Sequence, residues 1–259
     1  MASRLTGKWV LITGASSGFG AAAARAFGAE GAKLLIGARR MERLEAVAAE
    51  ARTAGAAEVH FSPLDVSKTS SVESFVDWAR TKTGRVDVLI NNAGGAVGLD
   101  TVAEGKDEDW ETMMQTNVLG VLRMTRAVLP LMANNPGGSI INIGSYAAHT
   151  VYEGGAAYCA AKAGELQITR ALRLELSGTG LRVSSIDPGL AETEFSMVRF
   201  KGDVERAQKP YVGTEPLVAE DIAEILVWVA SRPPHVNIDE MLVKPTDQAA
   251  IHKVYRRKT

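Results

Sequence analysis

A glycine-rich turn near the start of the chain constrains the fold more than any other feature. It reads TGASSGFG over residues 13–20 and stands between an apolar strand pattern and a helical pattern. Gly14 permits the tight turn, Gly18 lets the backbone approach a pyrophosphate, and Gly20 lets the helix pack closely on the strand. The N–H groups and dipole at the start of the helix favour a phosphate. The turn predicts dinucleotide binding, and the alternative is a glycine turn without a ligand. Three more candidates for cofactor contact in this turn are Ser16, Ser17 and Phe19.

Short β-branched apolar runs alternate with longer helical patterns along the rest of the chain. Several runs are apolar almost throughout, as expected for strands that are covered on both faces. The alternation predicts an α/β fold, a doubly wound Rossmann-like parallel sheet of about seven strands with helices on both faces. The predicted strands are Trp9–Thr13, Lys33–Ile36, Glu58–Ser62, Val86–Ile90, Ser139–Ile143, Arg182–Ile186 and Met241–Val243. The predicted helices are Phe19–Gly28, Met41–Ala54, Ser70–Lys82, Asp109–Ala133, Ala157–Leu176 and Ala219–Ser231.

The segment from Glu192 to Pro216 interrupts this alternation and mixes charged with aromatic residues. A long irregular insert in a compact α/β domain is usually a lid or a substrate loop. Elsewhere the chain has no repeat, low-complexity segment or linker-like stretch. We therefore expect a single domain over residues 1–259 with a substrate-loop insert at 192–216.

Composition and charge exclude several kinds of partner. The formal net charge of −1 over 259 residues argues against nucleic acid or an anionic membrane as a partner. The one cysteine, Cys159, allows no internal disulfide and fits a reducing compartment. The N-terminal residues lack a signal-peptide layout, and no run of 18 apolar residues predicts a membrane span. The four histidines show no metal-ligand spacing. We expect a cytoplasmic protein that needs no metal and acts on a small molecule.

The residues after the second predicted strand bear on the choice of cofactor. They read GARR at 37–40, about 20 residues beyond the glycine turn, where an NAD enzyme carries Asp or Glu for the ribose 2′-hydroxyl. This chain has Arg39 and Arg40 instead, and two guanidinium groups suit a 2′-phosphate. The pair predicts NADP(H). The alternative is that both arginines belong to a solvated helix start.

Two further strand ends carry candidate cofactor contacts. The third predicted strand ends in PLDV, where Asp65 can accept a hydrogen bond from an adenine amino group and Val66 can lie against the ring. The alternative for Asp65 is a helix cap. The fourth strand is followed by NNAG, in which a contact to the cofactor ribose or a plain turn is possible. The candidates there are Asn92, Ala93 and Gly94.

Tyr158 and Lys162 stand four residues apart at the start of a predicted helix, and this spacing places both on one helix face. A free tyrosine has a pKa of about 10. A fixed ammonium beside the phenol favours the phenolate and lowers the tyrosine pKa, which makes the tyrosine a usable general acid and base. The same spacing also arises by accident on many helices, so Tyr158 and Lys162 carry weight only as part of a larger set.

Ser145 and Asn117 complete that set. Ser145 follows the fifth predicted strand, and the carboxyl ends of parallel strands form the ligand crevice in this architecture. Its hydroxyl can hold a substrate oxygen, or form an ordinary serine turn. Asn117 lies inside a long helical pattern, where Asn is unfavourable. It therefore indicates a local kink or a bound water, or an asparagine that bonds its own backbone.

These motifs, in this order and spacing, resemble the short-chain dehydrogenase/reductase family over essentially the whole chain. The resemblance implies an oxidoreductase in which Tyr158 is the proton donor and acceptor, while Lys162 lowers its pKa and holds the nicotinamide ribose. It implies that Ser145 positions the substrate oxygen and that Asn117 supports a proton-relay water. The carboxamide side of the nicotinamide would be lined by Pro188, Gly189 and Thr193. The matching pieces are TGASSGFG at 13–20, NNAG at 91–94, Asn117, Ser145, Tyr158-x-x-x-Lys162 and PGLAET at 188–193.

A narrower likeness is to the NADP-dependent 3-hydroxy acid dehydrogenases, which act on serine, allo-threonine and related acids. Some of their relatives reduce small aldehydes and ketones, including sulfoacetaldehyde and clavulanate-type aldehydes. Arg199 and Lys201 in the insert are candidates to meet the substrate anion, because arginine binds a carboxylate or sulfonate in a bidentate way. We hypothesise that Arg199 contributes, and the alternative is a solvated lid charge. The likeness is carried by residues 109–117, 187–203 and 235–248 and by the Arg39–Arg40 pair.

Three other functions stay open at this point. A reductase of a different carbonyl compound would share all these motifs. A non-catalytic protein that senses NADP would tolerate loss of the tyrosine or the lysine, and both are present. A structural subunit is compatible with catalysis, because the resemblance implies a homotetramer whose interfaces are expected on the helical patterns 109–133 and 157–176.

Overall fold

The predicted strands form one parallel sheet. The structure is a computed structural model that describes residues 3–133 and 135–257. In this part of the chain, seven strands lie in the order β3-β2-β1-β4-β5-β6-β7, and every neighbouring pair is parallel. The order reverses between β1 and β4, so the ligand crevice is expected at the carboxyl ends of these strands. The strands are β1 Trp9–Thr13, β2 Lys33–Ala38, β3 Glu58–Pro63, β4 Val88–Asn91, β5 Ser139–Ile143, β6 Arg182–Pro188 and β7 Glu240–Val243.

Helices cover both faces of the sheet, because alternate side chains of each strand point to opposite faces. On one face α1 packs against α2 and α9, around a core that includes Phe27 and Ile36. On the other face α3 packs against α5, around a core that includes Phe75 and Met124. The predicted fold class is confirmed. The helices are α1 Gly18–Ala29, α2 Met41–Ala54, α3 Thr69–Arg80, α4 Asp107–Met114, α5 Gly120–Met132, α6 Ala156–Glu175, α7 Phe195–Arg199, α8 Val204–Gln208 and α9 Ala219–Ala230. No helix within the described residues has the length and hydropathy needed to span a bilayer.

The prediction of one continuous helix at Asp109–Ala133 is wrong in detail. A π-helical turn at Gln115–Leu119 separates α4 from α5. Asn117 lies in this turn, and its side-chain Nδ2 donates to the carbonyl of Met113, four residues earlier, at 2.8 Å. A side chain that bonds into the helix ladder accounts for the extra residue in the turn.

The segment 192–216 is not irregular as predicted, because it contains α7, α8 and a 3-10 turn at Lys209–Tyr211. Its ends are joined by a parallel bridge between Ala191 and Leu217. Both α7 and α8 have five residues, too few to show a helical period in the sequence. Apart from these two segments, the predicted boundaries lie within two residues of the observed ones.

A short hairpin near the C terminus was not predicted. It consists of β8 Gln248–Ala250 and β9 Lys253–Val254, which pair in antiparallel fashion. Residues after the hairpin return to the insert, since Arg257 N–H donates to the carbonyl of Gly213 at 2.7 Å. The C-terminal segment is thereby attached to the end of the insert.

Candidate active site

A cleft of about 750 Å³ opens where the strand order reverses. It brings together residues that the sequence predicted separately. Gly20 and Asn117 do not line it but are buried beside it. The predicted residues that do line the cleft are Gly14, Ser16, Ser17, Gly18, Phe19, Arg39, Arg40, Asp65, Val66, Asn92, Ala93, Gly94, Ser145, Tyr158, Lys162, Pro188, Gly189, Thr193 and Arg199.

The glycine turn is held tightly against the end of β4. Gly14 has φ of +66°, and a Cβ there would lie 2.8 Å from Ala93 Cα. A Cβ on Gly20 would lie 2.5 Å from Asn92 Nδ2. Asn92 itself braces the turn, because its Nδ2 donates to the carbonyls of Thr13 and Gly14 at 2.9 and 3.2 Å. The two glycines are therefore needed for close packing, and the Asn92 amide contacts the turn.

Arg40 is bound at one end of the cleft by hydroxyl and carboxylate groups. Its Nη2 donates to Ser17 Oγ at 2.7 Å, to Ser16 Oγ at 3.2 Å and to Glu194 Oε2 at 2.9 Å. Arg43 also forms an ion pair with Glu194. Burial pulls the pKa of Glu194 upward, but the hydrogen bonds from Arg43 and Arg40 lower it more. Arg40 is thus paired with a carboxylate at this end of the cleft. Glu194 was not predicted from the sequence.

Asp65 and Arg39 lie on the same side of the cleft. Asp65 Oδ1 accepts from Ser67 N at 3.0 Å and from Ser67 Oγ at 2.6 Å. Burial raises the pKa of Asp65, but the Ser67 hydrogen bonds, with smaller contributions from Arg39 and Lys68, bring it below its usual value. Helix α3 begins at Thr69 after Lys68, so Asp65 closes a turn before the helix and does not cap it.

Asn117 is 1% exposed and bridges the π-helical turn to the strand end after β4. Its Oδ1 accepts from Gly95 N at 3.0 Å, and its Nδ2 donates to the Gly95 carbonyl at 2.9 Å. A Cβ on Gly94 would lie 2.6 Å from Asn117 Oδ1 and 3.6 Å from Lys162 Nζ. Asn117 and Lys162 therefore approach the same glycine from two different elements.

Tyr158 and Lys162 lie on the first turns of α6, and both are largely buried. The Tyr158 ring packs against Phe195, with ring centroids 5.6 Å apart. Lys162 Nζ donates to the carbonyl of Ile143 and to Glu165 Oε2, each at 2.7 Å. Glu165 was not predicted as part of the site. Its position three residues after Lys162, on the same helix face, was the signal that would have found it.

Ser145 lies two residues beyond the end of β5 and caps a 3-10 turn at Tyr146–Ala148. Its Oγ accepts a hydrogen bond from Ala147 N at 3.1 Å. Because the oxygen is the acceptor in this contact, the hydroxyl hydrogen is available to donate into the cleft. The serine turn and a role in holding a substrate oxygen are therefore compatible.

The wall that contains Pro188, Gly189 and Thr193 is supported by the unpredicted hairpin. Gln248 Oε1 accepts from Leu190 N at 2.8 Å, and Gln248 lines the cleft together with other residues of the C-terminal segment. Thr193 Oγ1 accepts from Phe195 N at 3.2 Å. A Cβ on Gly18 would lie 3.5 Å from Thr193 Cβ. This wall and the glycine turn face each other across a narrow gap.

Arg199, at the end of α7, reaches the cleft beside Tyr158. Its Nε donates to the Gly98 carbonyl at 2.9 Å and its Nη1 to Tyr152 Oη at 3.0 Å. Its guanidinium carbon lies 5.7 Å from the centroid of the Tyr158 ring. Burial raises the pKa of Tyr152 to about 12, which Arg199 offsets only in part. Arg199 is therefore an ordered, half-buried cation and not a solvated lid charge.

Lys201 does not meet the expectation that it faces a substrate anion. Its Nζ pairs with Asp109 Oδ2 at 3.0 Å, and its side chain is 60% exposed. This pairing neutralises the charge of the lysine. Within the described residues, no group of three or more His, Cys, Asp or Glu side chains is arranged to hold a metal ion.

Comparison with known proteins gives consistent relatives. A 3-hydroxy acid dehydrogenase of Schizosaccharomyces pombe, named as NADP-dependent, is 43% identical over 257 residues, which are 99% of each chain. Sulfoacetaldehyde reductase 2 of Chromohalobacter salexigens is 44% identical over 241 residues, which are 93% of this chain and 95% of the relative. The closed form of a serine dehydrogenase complexed with NADP⁺ superimposes with a TM-score of 0.89 at 41% identity, over 96% of this chain and all of that one.

Residues 8–203 match the short chain dehydrogenase family. This span includes the glycine turn, Asn117, Ser145, Tyr158 and Lys162. The match and the relatives together cover both the dinucleotide half of the cleft and its substrate half. The chain belongs to the short-chain dehydrogenase/reductase family.

Proposed function

We propose that this protein is an NADP(H)-dependent oxidoreductase. It transfers a hydride between the nicotinamide and the alcohol or carbonyl carbon of a small polar substrate, of which 3-hydroxy acids such as serine or allo-threonine fit best. One observation carries the proposal. A single cleft has an arginine pair at one end and, at the other, Tyr158, Lys162 and Ser145 beside the cation of Arg199.

The residues present fit NADP(H). A glycine turn that excludes a Cβ at Gly14 leads into the N terminus of α1, an arrangement that suits a pyrophosphate. Arg39 and Arg40, with the Ser16 and Ser17 hydroxyls, offer charged and neutral donors for a 2′-phosphate. The 3-hydroxy acid dehydrogenase and the serine dehydrogenase above are described with this cofactor, in agreement with the prediction.

The cofactor supplies a hydride acceptor or donor when it is bound, and the chain's own residues move the proton. In the oxidative direction, Tyr158 as phenolate takes the proton from the substrate hydroxyl. Ser145 donates its hydroxyl hydrogen to the same oxygen, on which charge develops. Lys162 stays charged and keeps its ammonium in the cleft. Asn117 holds the segment after β4 in place through its hydrogen bond with Gly95. The reverse direction returns the proton from Tyr158 to the alkoxide.

Arg199 gives the substrate half its preference for an anion. Two of its nitrogens are bound by Gly98 and Tyr152, which hold the guanidinium beside the Tyr158 ring. A carboxylate on the substrate carbon chain can then pair with the guanidinium while the reacting oxygen faces Tyr158. A sulfonate satisfies the same geometry, so reduction of a sulfoacetaldehyde-like aldehyde is the second candidate, and one relative carries that name.

The insert at 192–216 is proposed as the substrate loop of one domain that spans residues 1–259. It supplies Thr193 and Arg199 to the cleft wall.

A homotetramer is supported by apolar side chains that are exposed on the predicted interface helices. These are Met114, Leu119, Leu122 and Leu174. A cytoplasmic location is supported by the single cysteine. Light scattering tests the oligomeric state, and cell fractionation tests the location.

A substrate and cofactor panel on purified protein tests the proposed function. We expect oxidation of serine, allo-threonine or 3-hydroxypropionate with NADP⁺ in preference to NAD⁺. We expect Tyr158→Phe to lose about 10²–10⁴-fold in kcat, the usual contribution of a general acid–base group. Tighter binding of NAD⁺ contradicts the cofactor assignment, and full turnover by Tyr158→Phe contradicts the mechanism. NADP⁺ binding with no turnover of any alcohol or carbonyl would favour a sensing protein.

The role of Arg199 has its own test. Arg199→Met should raise KM for an acidic substrate about 10-fold or more, because a charged hydrogen bond contributes about 1.5–3 kcal/mol. Lys209→Met is the matched control, since Lys209 is an exposed cation of the same insert that does not line the cleft, and its loss should leave KM unchanged. An unchanged KM for Arg199→Met, or a preference for bulky apolar ketones, would remove the assignment.

A further inference from the structure

A buried carboxylate lies one helical turn beyond Lys162 and has no part in the proposed chemistry so far. Glu165 is 1% exposed, and glutamate is almost never fully buried unless its charge is paired. Its Oε2 accepts a hydrogen bond from Lys162 Nζ at 2.7 Å. The contact joins this acid to one of the four residues predicted to be catalytic.

The contacts of Lys162 leave one donor for the cleft. A lysine ammonium has three N–H donors. One goes to the Ile143 carbonyl and another to Glu165. Lys162 also lines the cleft, and its Nζ is 3.6 Å from the point where a Cβ on Gly94 would lie. The third donor is therefore available to a group in the cleft.

The charge of Glu165 decides whether Lys162 keeps its proton. Burial pulls the pKa of Lys162 down, but the Glu165 charge, with smaller contributions from Tyr158 and Asp187, raises it above its usual value. Burial raises the pKa of Glu165 to about 7, because the Lys162 charge offsets only part of the effect. A buried lysine without this partner would lose its proton much more readily.

The other charged groups around the pair are few. Tyr158 lies one turn earlier on α6, and Asp187 lies near the end of β6 with its carboxylate 2.7 Å from His149 Nε2. Asn117 on the π-helical turn and Gly94 after β4 add no charge. Among the described residues, Glu165 is the one carboxylate with a hydrogen bond to the Lys162 ammonium.

We propose that Glu165 is a positioning residue that keeps the Lys162 ammonium charged and directed into the cleft. The inference rests on the proposed function, since it assigns Lys162 a charged role there. Glu165→Gln keeps the size and the oxygen acceptor but removes the charge. Lys162 then loses its proton at a lower pH, and both catalysis and cofactor binding weaken as it does so.

The first test compares pH profiles of kcat/KM for four proteins. These are the natural chain, Glu165→Gln, Glu165→Asp and the control Glu175→Gln, which changes an exposed acid on the same helix. We expect the alkaline limb of Glu165→Gln to move at least about one pH unit lower, which is about tenfold in kcat/KM above that limb. In Glu165→Asp the alkaline limb should return most of the way to its position in the natural chain. In the control, Glu175→Gln, the limb should stay where it is in the natural chain.

A second measurement does not depend on turnover. The Kd for NADPH, followed by fluorescence, should rise for Glu165→Gln over the same pH range in which its activity falls. The proposal would be overturned if the pH profiles of kcat/KM for Glu165→Gln and the natural chain superimpose, or if Glu165→Gln loses the same factor in kcat/KM at every pH. It would also be overturned if Glu165→Asp shows no recovery.

A third measurement needs no variant at position 165, in case Glu165→Gln does not fold. Lysine labelled with ¹³C at Cε reports its own protonation, and the signal of Lys162 is the one that disappears in Lys162→Met. We expect it to titrate above the ordinary lysine value of about 10.4. Titration below about 9 in the natural chain would overturn the proposal, as it would mean that Glu165 does not hold the charge. This result is independent of the substrate, so it separates failure of the inference from failure of the proposed function.

Discussion

Gly144→Ala offers a sharp test of how tightly the strand ends below Ser145 are packed. A Cβ on Gly144 would lie 1.9 Å from Asp187 Oδ1 and 2.9 Å from Ser185 Oγ. Asp187 is fully buried, and its carboxylate is held by Ser185 Oγ at 2.6 Å and by His149 Nε2 at 2.7 Å. The clash is therefore with a side chain that is fixed at both oxygens.

The size of the effect follows from these distances. Ordinary contact begins at 3.4 Å, so Oδ1 must move by 1.5 Å (3.4 minus 1.9), which breaks at least one of its short hydrogen bonds. A hydrogen bond to a charged group contributes about 1.5–3 kcal/mol, and overpacking costs about 1–3 kcal/mol. We expect a loss of about 3 kcal/mol in the free energy of unfolding, or roughly 6–12 °C in Tm for a chain of this length.

The assay is guanidinium unfolding and a thermal scan at one protein concentration, since assembly also shifts apparent stability. Gly84→Ala is the control, because its Cβ would meet no atom within 4 Å, and we expect a change below about 1 kcal/mol. In an Asp187→Ala background the Gly144→Ala substitution should cost much less, because the atom at 1.9 Å is gone and only the 2.9 Å contact with Ser185 Oγ remains. An equal cost in both backgrounds, or no cost in the natural one, would refute the reasoning.

Three further outcomes are expected. Glu194→Gln should raise KM for an acidic substrate about fivefold, since two partly exposed ion pairs, one of them with Arg40, contribute about 1 kcal/mol together; an unchanged KM contradicts this. Burial raises the pKa of the Cys159 thiol, so a thiol reagent at pH 8 should label the native protein far more slowly than the denatured one. A hydrogen bond from the Glu215 backbone N–H and the Arg257 side chain lower the pKa of Asp247. The ionised Asp247 carboxylate therefore binds Arg257 of the C-terminal segment at neutral pH, and this ion pair is lost as the pH falls through that pKa. Asp247→Asn should therefore speed tryptic cleavage near the C terminus at neutral pH.

The sequence predicted those parts of the site that depend on local backbone chemistry. Gly14 and Gly20 are recognisable because the turn allows no other residue there. Tyr158 and Lys162 share a face because helix geometry fixes residues four apart. The sheet followed from apolar runs of the right length, such as Ser139–Ile143, which is buried at every position.

Contacts between distant segments were not predictable in the same way. Glu194 meets Arg40 across 154 positions, and Gln248 supports Leu190 across 58. Such pairs are set by where the sheet places the ends of its strands, and no spacing along the chain encodes them. The short helix α7 was missed for a different reason, because it is too brief to impose a period. At Asn117 the unfavourable residue indicated a local kink, and the structure shows that the kink is a π-helical turn.

The five-residue helix α7 connects the two ends of the cleft. Its N-cap residue Glu194 is bound to Arg40 and Arg43, and its last residue Arg199 is bound to Tyr152. A helix of five residues is only about 7–8 Å long, so Glu194 and Arg199 lie at the two ends of one short segment. We therefore expect a shift at the phosphate end to displace the guanidinium beside Tyr158. This is why Glu194→Gln, a change outside the substrate pocket, is expected to act on KM for the acid and not only on the cofactor.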